Sequence, residues 1–423
     1  MPNQVVVTGL GLITSIGNNK AQVTESLREL RHGFENITFM DNPRIPVKVV
    51  GSIKEFDTSS PNWVEWKYPE HFNLDVDYLK SLSPHGLHCL CAMLHAVEDS
   101  GLKEEEVAST ETGLFASSAG STFMMRNNLE SLIATNGMRI NPMSVVASVS
   151  GTLNFNLGAY FGIRGGNCGF VSACASSSHA IGYGFDEIYL GRHKRIFVVG
   201  GEDLTAETYL PFNGMRALSR NPDPDTASRP FDKKRDGFVG TGGGVAMVLE
   251  NKEDAVKRGA NIYAELVNWG QASDGYNIAM PHPEGSGLTL AMKNALKAAK
   301  LKPEDVDYVN AHATSTPPGD RSEALSLVNI FGTDKDKRPA VSSTKALTGH
   351  GLSMAGVMEA AFSVISIKEG FIPGAAHISE PDPLCEHITL PKETLDQAPK
   401  NVISNSSGFG GSNVCLVFKK WDG

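Results

Sequence analysis

Several features that define other protein classes are scarce in this sequence of 423 residues. It has no apolar run long enough to cross a membrane. Its six cysteines lie at irregular positions and do not form the dense framework of a small disulfide-stapled protein. Positive charge is in deficit, and the net charge of −9 argues against a nucleic-acid partner, because binding phosphates needs a basic face. We therefore expect a cytoplasmic protein with reduced thiols that binds neither a membrane nor nucleic acid.

The composition that remains is that of an ordinary globular protein, with 41% apolar and 20% charged residues. The chain is too long for one typical core, so it predicts two domains or one duplicated domain. Short apolar strands alternate with amphipathic helices, which predicts an α/β fold with mostly parallel, helix-covered sheets. The strands are expected at residues 5–11, 113–117, 195–203, 245–249, 262–267, 306–310, 340–343 and 414–419, and the main helices at 84–100, 178–189, 288–300 and 352–369.

The pattern of strands and helices starts again near residue 255. Each half contains a strand, a polar Ser/Thr turn and then a helix rich in small residues. This repetition predicts two similar halves, residues 1–254 and 255–423, with two helix N-termini that face a shared centre.

Cys174 lies in a stretch of small residues between a Gly-rich segment and the first of these helices. A thiol beside the first amides of a helix is exposed to the positive end of the helix dipole, which lowers the pKa of a cysteine. The position therefore predicts a nucleophile. The alternative is a buried cysteine that acts as a small apolar residue, the usual fate of a free cysteine.

The second half of the chain supplies two histidines in similar settings. His312 follows a predicted strand, where α/β folds place their chemistry, and His350 lies at the next junction between a strand and a helix. A Gly/Ser-rich segment at residues 405–413 is expected to be a flexible turn with free backbone amides. The group of His and Cys residues at 85–95 fits no standard zinc spacing, since one rigid helix cannot wrap a tetrahedral ion, so we predict no metal site.

Together these segments resemble the β-ketoacyl-[acyl-carrier-protein] synthases, the elongating condensing enzymes of the thiolase superfamily. The resemblance covers nearly the whole chain and implies an α/β fold of the duplicated thiolase type, layered α-β-α-β-α, in a homodimer. It is carried by Ser-Ala-Cys-Ala-Ser at 172–176, Ser-Arg-Pro-Phe-Asp at 228–232, Arg-Asp-Gly-Phe-Val at 235–239, His-Ala-Thr-Ser-Thr-Pro-Pro-Gly-Asp at 312–320, Lys-Ala-Leu-Thr-Gly-His at 345–350 and Gly-Phe-Gly-Gly-Ser-Asn at 408–413.

The resemblance implies a decarboxylative Claisen condensation. Cys174 would hold the acyl group, and His312 and His350 would stabilise the enolate that forms when malonyl loses its carboxylate. The backbone amides of Cys174 and Phe409 would bind the oxyanion. The partner would be an acyl carrier protein with acyl and malonyl groups on its phosphopantetheine, and neither a metal nor another cofactor is required.

Four further residues take supporting roles by the same resemblance. Lys345 and Glu359 match polar residues behind the histidines, and Thr314 and Thr316 match the pair that binds the pantetheine arm. Ser407 stands where the family usually has an aromatic residue at the loop that gates the pocket, so it is expected to influence which acyl groups bind.

Besides Ser407, the charge of the segment expected to dock the carrier departs from the family pattern. The segment that matches the family's docking helix, residues 79–91, has little positive charge, so we expect the basic stretch at residues 216–234 to dock an acidic carrier instead.

Three other functions fit parts of the pattern. A ketosynthase of a specialised polyketide or polyene pathway would share every catalytic residue. A non-catalytic subunit that sets chain length would typically lack the nucleophile, which is present here. A degradative thiolase would need a second cysteine as acid and base, whereas Cys415 lies in an apolar strand.

Overall fold

A computed structural model describes residues 2–39 and 42–423, so Met1, Met40 and Asp41 lie outside the described residues. The first half contains eight of the described strands: β1 (Val5–Ile13), β2 (Phe34–Asn36), β3 (Val49–Gly51), β4 (Thr112–Ser117), β5 (Asn167–Phe170), β6 (Arg195–Glu202), β7 (Gly240–Thr241) and β8 (Gly243–Asn251). The second half contributes β9 (Ala264–Ser273), β10 (Tyr308–Asn310), β11 (Ala340–Ser342), β12 (Asn401–Gly408) and β13 (Ser412–Lys420).

The helices of the first half are α1 (Lys20–Glu29), α2 (Val76–Leu79), α3 (Pro84–Ser100), α4 (Glu104–Val107), α5 (Thr122–Ala134), α6 (Ser144–Ser148), α7 (Thr152–Tyr160), α8 (Ser176–Tyr189), α9 (Ala206–Gly214), α10 (Pro224–Ala227) and α11 (Lys252–Lys257). Those of the second half are α12 (Ser286–Ala299), α13 (Pro317–Phe331), α14 (Lys345–Thr348) and α15 (Ala355–Glu369). Short 3₁₀ turns lie at Trp63–Glu65, Glu70–Phe72, Pro303–Asp305, Lys335–Lys337, Leu352–Met354 and Pro383–Cys385.

The main sheet consists of two halves with the same topology. Its strand order is β11-β10-β12-β13-β9-β1-β8-β6-β4-β5, and the halves join where β1 pairs with β9. Outward from this junction, each half has two antiparallel pairings followed by two parallel ones. Each half also uses its five strands in the same chain order. This repeat supports the predicted division into residues 1–254 and 255–423, whose boundary stays a prediction.

Helices cover both halves of the sheet and produce a layered α/β arrangement. On one side α3 packs on β1, β6 and β8, and on the other α12 packs on β9 and β13. Between the two half-sheets lie α8 and α15, which contact each other. Residues of α15 from Ala355 to Ile367 are all buried, as expected for a helix that is apolar around most of its circumference.

Small residues allow the two central helices to meet near their N-termini. The Ser177 hydroxyl of α8 accepts a hydrogen bond of 3.0 Å from the backbone N–H of Val357 in α15. A Cβ atom on Gly356 would lie 2.6 Å from the backbone nitrogen of Ser178, so only glycine fits at this contact. The close approach brings the turns before both helices, and with them Cys174 and His350, to one place.

Most of the predicted elements are confirmed, with boundaries that differ by a few residues. Ser83 caps α3 and Gly101 ends it in the left-handed conformation, as the sequence predicts. The flexible turn expected at 405–413 is wrong at both ends, because β12 extends to Gly408 and β13 begins at Ser412. Cross-strand hydrogen bonding holds these polar residues in the sheet and leaves a three-residue hairpin turn. Among the helices of residues 2–39 and 42–423, none has the length and apolar character needed to span a bilayer.

Candidate active site

Cys174 lies in a strained turn between β5 and α8. The preceding residue, Ala173, has a φ of 51°, in the left-handed region that side chains with a Cβ rarely adopt. Ser176 holds the turn, because its hydroxyl donates to the Ala173 carbonyl at 2.6 Å and accepts from the Ser172 N–H at 2.8 Å. The turn thus directs the thiol away from the helix and into a cavity.

His312 lies two residues beyond β10. The Glu323 carboxylate on α13 fixes this backbone by accepting hydrogen bonds from the N–H of His312 at 3.0 Å and from that of Ala313 at 2.6 Å. The Asn405 side chain donates to the same carboxylate at 3.1 Å. Glu323 therefore positions the histidine through its main chain.

His350 lies between α14 and α15. Its backbone N–H donates to the Val239 carbonyl at 2.7 Å, and its own carbonyl accepts from the Tyr209 hydroxyl at 3.2 Å. Two residues later, Leu352 has a φ of 47°. The backbone of His350 is thus held by the residue that precedes β7 and by Tyr209 on α9.

The structure brings the three reactive side chains together. The Nε2 of His350 lies 3.0 Å from the Sγ of Cys174, and the two imidazole rings are perpendicular with centroids 5.4 Å apart. One sulfur and two imidazole nitrogens that all lie within 4.8 Å of one another could also hold a metal ion. The positive charge of the neighbouring Lys345 opposes the binding of a cation there.

Burial sets the protonation states of this group. It raises the pKa of the Cys174 thiol to about 12, against the opposing effects of the Lys345 charge and of the Phe409 backbone N–H. The expectation that the start of the helix lowers this pKa is therefore wrong, because desolvation outweighs the dipole. Burial also lowers the pKa of His312 and His350 well below 6.5, and the Lys345 charge adds to this effect. At neutral pH the resting site contains a thiol and two neutral imidazoles.

Lys345 and Glu359 form a buried ion pair behind the histidines. The Nζ of Lys345 lies 2.5 Å from the Oε1 of Glu359, and both side chains are almost completely buried. Burial raises the pKa of Glu359 to about 7, although the lysine charge opposes this rise. The pair places a fixed cation near both imidazoles without contacting the thiol.

A cavity of about 170 Å³ connects the three reactive groups with the surface. Thr314 and Thr316 line its outer part, and their hydroxyl oxygens lie 3.0 Å apart. Ser407 lies in the wall and donates a hydrogen bond to the Asn413 side chain at 2.7 Å. The backbone N–H of Phe409 points at the Cys174 sulfur. Every site residue predicted from the sequence therefore lies either on this cavity or, for Lys345 and Glu359, directly behind it.

Sequence reasoning missed two residues that hold the histidines. Glu323 lies eleven residues after His312, and Tyr209 contacts His350 across 141 residues. Glu323 lies on α13, a helix that the sequence analysis did not predict, and no local pattern reveals Tyr209.

The two segments considered for carrier docking differ in exposure and charge, and docking at residues 216–234 stays a prediction. In the segment 79–91, Lys80 is partly exposed, whereas residues 82–91 are buried. The basic stretch at 216–234 also contains Asp223, Asp225 and Asp232, and Lys233 is paired with Glu380 at 2.7 Å. Arg216 is the cation of this stretch that lines the cavity.

Comparison with known proteins finds a matching family model for each half of the chain. Residues 2–255 match the family model for the N-terminal domain of beta-ketoacyl synthase, and residues 263–379 match the model for its C-terminal domain. The chain is 37% identical to "3-oxoacyl-[acyl-carrier-protein] synthase 1" of Haemophilus influenzae, over 99% of this chain and 100% of that protein. It is 35% identical to "3-oxoacyl-[acyl-carrier-protein] synthase 2" of Staphylococcus aureus, over 99% of both.

A solved structure shows the same fold over the full length. The ishigamide ketosynthase/chain length factor superposes with a TM-score of 0.88 at 26% identity and covers 100% of both chains.

Proposed function

The chain belongs to the beta-ketoacyl synthase family, and we propose that it catalyses the decarboxylative condensation of a malonyl thioester with an acyl group held on Cys174. It is a condensing enzyme of the acyltransferase type. Each cycle lengthens the acyl chain by two carbons and releases a 3-oxoacyl thioester on an acyl carrier protein. The observation that carries this proposal is the 3.0 Å contact between Cys174 and His350, beside His312, in one cavity.

The first half-reaction loads the acyl group. The Cys174 sulfur attacks the carbonyl of the acyl thioester and forms a new C–S bond, while the old C–S bond breaks and the pantetheine sulfur leaves with the thiol proton. We place the oxyanion of this step on the backbone N–H groups of Cys174 and Phe409. In support, a Cβ atom on Gly408 would lie 3.1 Å from the Cys174 nitrogen, so the glycine permits the close approach of the two segments.

The second half-reaction forms the carbon–carbon bond. The malonyl carboxylate leaves as CO₂, and the electron pair of the broken bond passes into an enolate. His312 and His350 stabilise the enolate oxygen by donating hydrogen bonds from neutral rings. The enolate carbon attacks the acyl carbonyl on Cys174, and the sulfur leaves and regains a proton.

The protonation states favour His312 and His350 as hydrogen-bond donors rather than as a base that deprotonates Cys174. Burial favours the thiol of Cys174 over its thiolate and the neutral ring of His350 over its protonated form, so it opposes proton transfer from Cys174 to His350 at both ends. His350 is thus better suited to hydrogen-bond a developing anion than to deprotonate Cys174 at rest. Lys345 and Glu359 keep both rings neutral through the lysine charge.

The outer part of the cavity suits the arm that delivers both thioesters. The hydroxyls of Thr314 and Thr316 bind the amide groups of pantetheine in this proposal. Ser407 takes part in acyl selection from the cavity wall. The reaction draws its driving force from the thioester and the loss of CO₂, so no metal or redox cofactor takes part.

We also propose a homodimer through the edge of the sheet, in a cytoplasmic protein. Strand β5 is an edge strand with exposed residues, and the neighbouring Phe155, Val171 and Tyr183 expose large apolar surfaces. An unprotected apolar edge is a site for pairing with a second copy. Light scattering should give the mass of two chains, and Cys168 on β5 should resist alkylation; a single-chain mass with a reactive Cys168 would contradict the dimer.

A second candidate is the same chemistry on a more specialised acyl chain. The likeness to the ishigamide ketosynthase/chain length factor and the serine at position 407 favour it. The presence of Cys174 in contact with His350 supports a catalytic subunit over a non-catalytic partner. The proposal is tested by incubating the protein with malonyl- and acyl-carrier protein and detecting the 3-oxoacyl product by mass spectrometry. Cleavage of acetoacetyl-CoA by CoA, without condensation, would point to a thiolase instead.

A further inference from the structure

The mouth of the active-site cavity is surrounded by exposed apolar side chains. We call this set, Met215, Tyr276, Ile278, Met280 and Phe409, the apolar rim. Ile278 is 88% exposed, and the other four are between 40% and 57% exposed. Met215, Met280 and Phe409 also line the cavity itself. Exposed apolar side chains gathered in one place mark an interaction surface more often than scattered ones do.

The loop that carries Ile278 is ordered by hydrogen bonds. Asp274 accepts from the backbone N–H of His282 at 2.9 Å, and Asn277 accepts from the N–H groups of Ala279 and Met280. The Ile278 carbonyl accepts from the N–H of Gly410 at 2.9 Å, which ties the loop to the hairpin turn after β12. Ordering a loop costs conformational entropy, and the exposed Ile278 side chain does not offset this cost by burying apolar surface. The apolar rim is therefore preformed and presents its side chains to solvent.

Positive charge on the wall of the cavity is sparse. Arg216 is exposed and lines the cavity. Nearby, Lys233 is paired with Glu380, and Arg235 is buried with Asp320 and Asp382. Among the lining residues that the structure describes, Arg216 is the one cation, so the wall of the cavity offers a partner more apolar surface than positive charge.

We propose that the apolar rim is the surface on which the carrier protein docks, through apolar side chains that surround the base of its pantetheine arm. This rests on the proposed function, because the occupant is the protein whose arm must enter the cavity that the rim encloses. Docking by apolar burial predicts an affinity that changes little with salt, whereas docking by charge pairs weakens as salt screens them.

The test compares Ile278→Asp with Val256→Asp, a control on α11 that is 53% exposed and does not line the cavity. KM is measured for an acyl group on the carrier protein and on free pantetheine. We expect Ile278→Asp to raise the KM of the carrier-bound substrate between about 10- and 100-fold, the range for losing one buried apolar side chain. The KM of the pantetheine substrate, and both values for Val256→Asp, should match the wild type.

The same assay at low and high salt completes the test, with less than about a twofold change in the wild-type KM expected. Equal effects of Ile278→Asp on both substrates, equal effects of the control, or a steep rise of KM with salt would overturn the proposal. A loss of molecular mass in Ile278→Asp with both KM values unchanged would also overturn it, by assigning the rim to a contact between copies of this chain. If the proposed function itself were wrong, the wild type would condense neither substrate form.

Discussion

The Nε2 of His350 lies 3.0 Å from the Sγ of Cys174, although 176 residues separate them in the chain. The two residues occupy equivalent positions in the two halves of the fold, in the turns that precede α8 and α15. Duplication followed by the packing of these helices is thus what builds the site. The chemistry requires a nucleophile from one half and hydrogen-bond donors from the other.

The histidines should act after the acyl group is loaded. We expect His312→Ala and His350→Ala to accumulate acyl-enzyme at close to the normal rate and to lose about 10²- to 10⁴-fold in condensation, because each ring is a donor to the enolate. Single-turnover mass spectrometry separates the two steps. Normal condensation in either variant would remove that histidine from the mechanism, and failure of His350→Ala to load would make it the base for the thiol.

The reactivity of Cys174 should rise continuously with pH. Burial raises its pKa to about 12, so the thiol is protonated through neutral pH and the thiolate fraction grows about tenfold per pH unit. We expect alkylation of the Cys174 peptide by iodoacetamide to follow this slope from pH 6 to pH 9. Free cysteine, with an ordinary pKa near ~8.5, is the control whose rate levels off at the top of this range.

An alkylation rate of Cys174 that reaches a plateau below pH 8 would show instead that the start of the helix lowers its pKa. In a single chain Cys168 is exposed and Cys174 is half-buried, so Cys168 is the more accessible of these two thiols.

The Lys345–Glu359 pair should matter for stability as well as for activity. Glu359→Gln leaves a buried lysine charge without its partner, which costs about 3–5 kcal/mol. Urea unfolding should show this loss, and the double variant Lys345→Met with Glu359→Leu should recover most of it. Condensation in the double variant should stay low, because the lysine charge that adds to burial in keeping the imidazoles neutral is gone. Full activity of the double variant would mean that the pair is only structural.

Ser407 should set the range of acyl groups accepted. An aromatic ring at this position would displace the Ser407–Asn413 hydrogen bond and fill the cavity wall beside Phe409. We expect Ser407→Phe to slow the loading of long and branched acyl groups more than that of short ones, whereas Ser407→Ala keeps the wild-type range. Superimposable acylation profiles for wild type and Ser407→Phe would leave the serine without a role in selection.

The sequence was sufficient for the parts of the site that local patterns encode. Cys174, His312 and His350 each follow a strand and precede or join a segment of small residues, and the structure places all three on one cavity. The pKa of Cys174 could not be predicted, because desolvation depends on packing from both halves, which no local stretch contains. The same holds for Tyr209, which reaches His350 from a distant helix, and for Lys233 of the basic stretch, which is paired with Glu380 far along the chain.

The measurement closest to the central claim is the mass of the acylated protein followed through one turnover. After incubation with an acyl-carrier protein, the account predicts one acyl group, located on the peptide that contains Cys174 and absent from Cys174→Ala. Addition of malonyl-carrier protein should discharge that group into a 3-oxoacyl product two carbons longer, with release of CO₂. An acyl group on any other residue, or product formed by Cys174→Ala, would contradict the account.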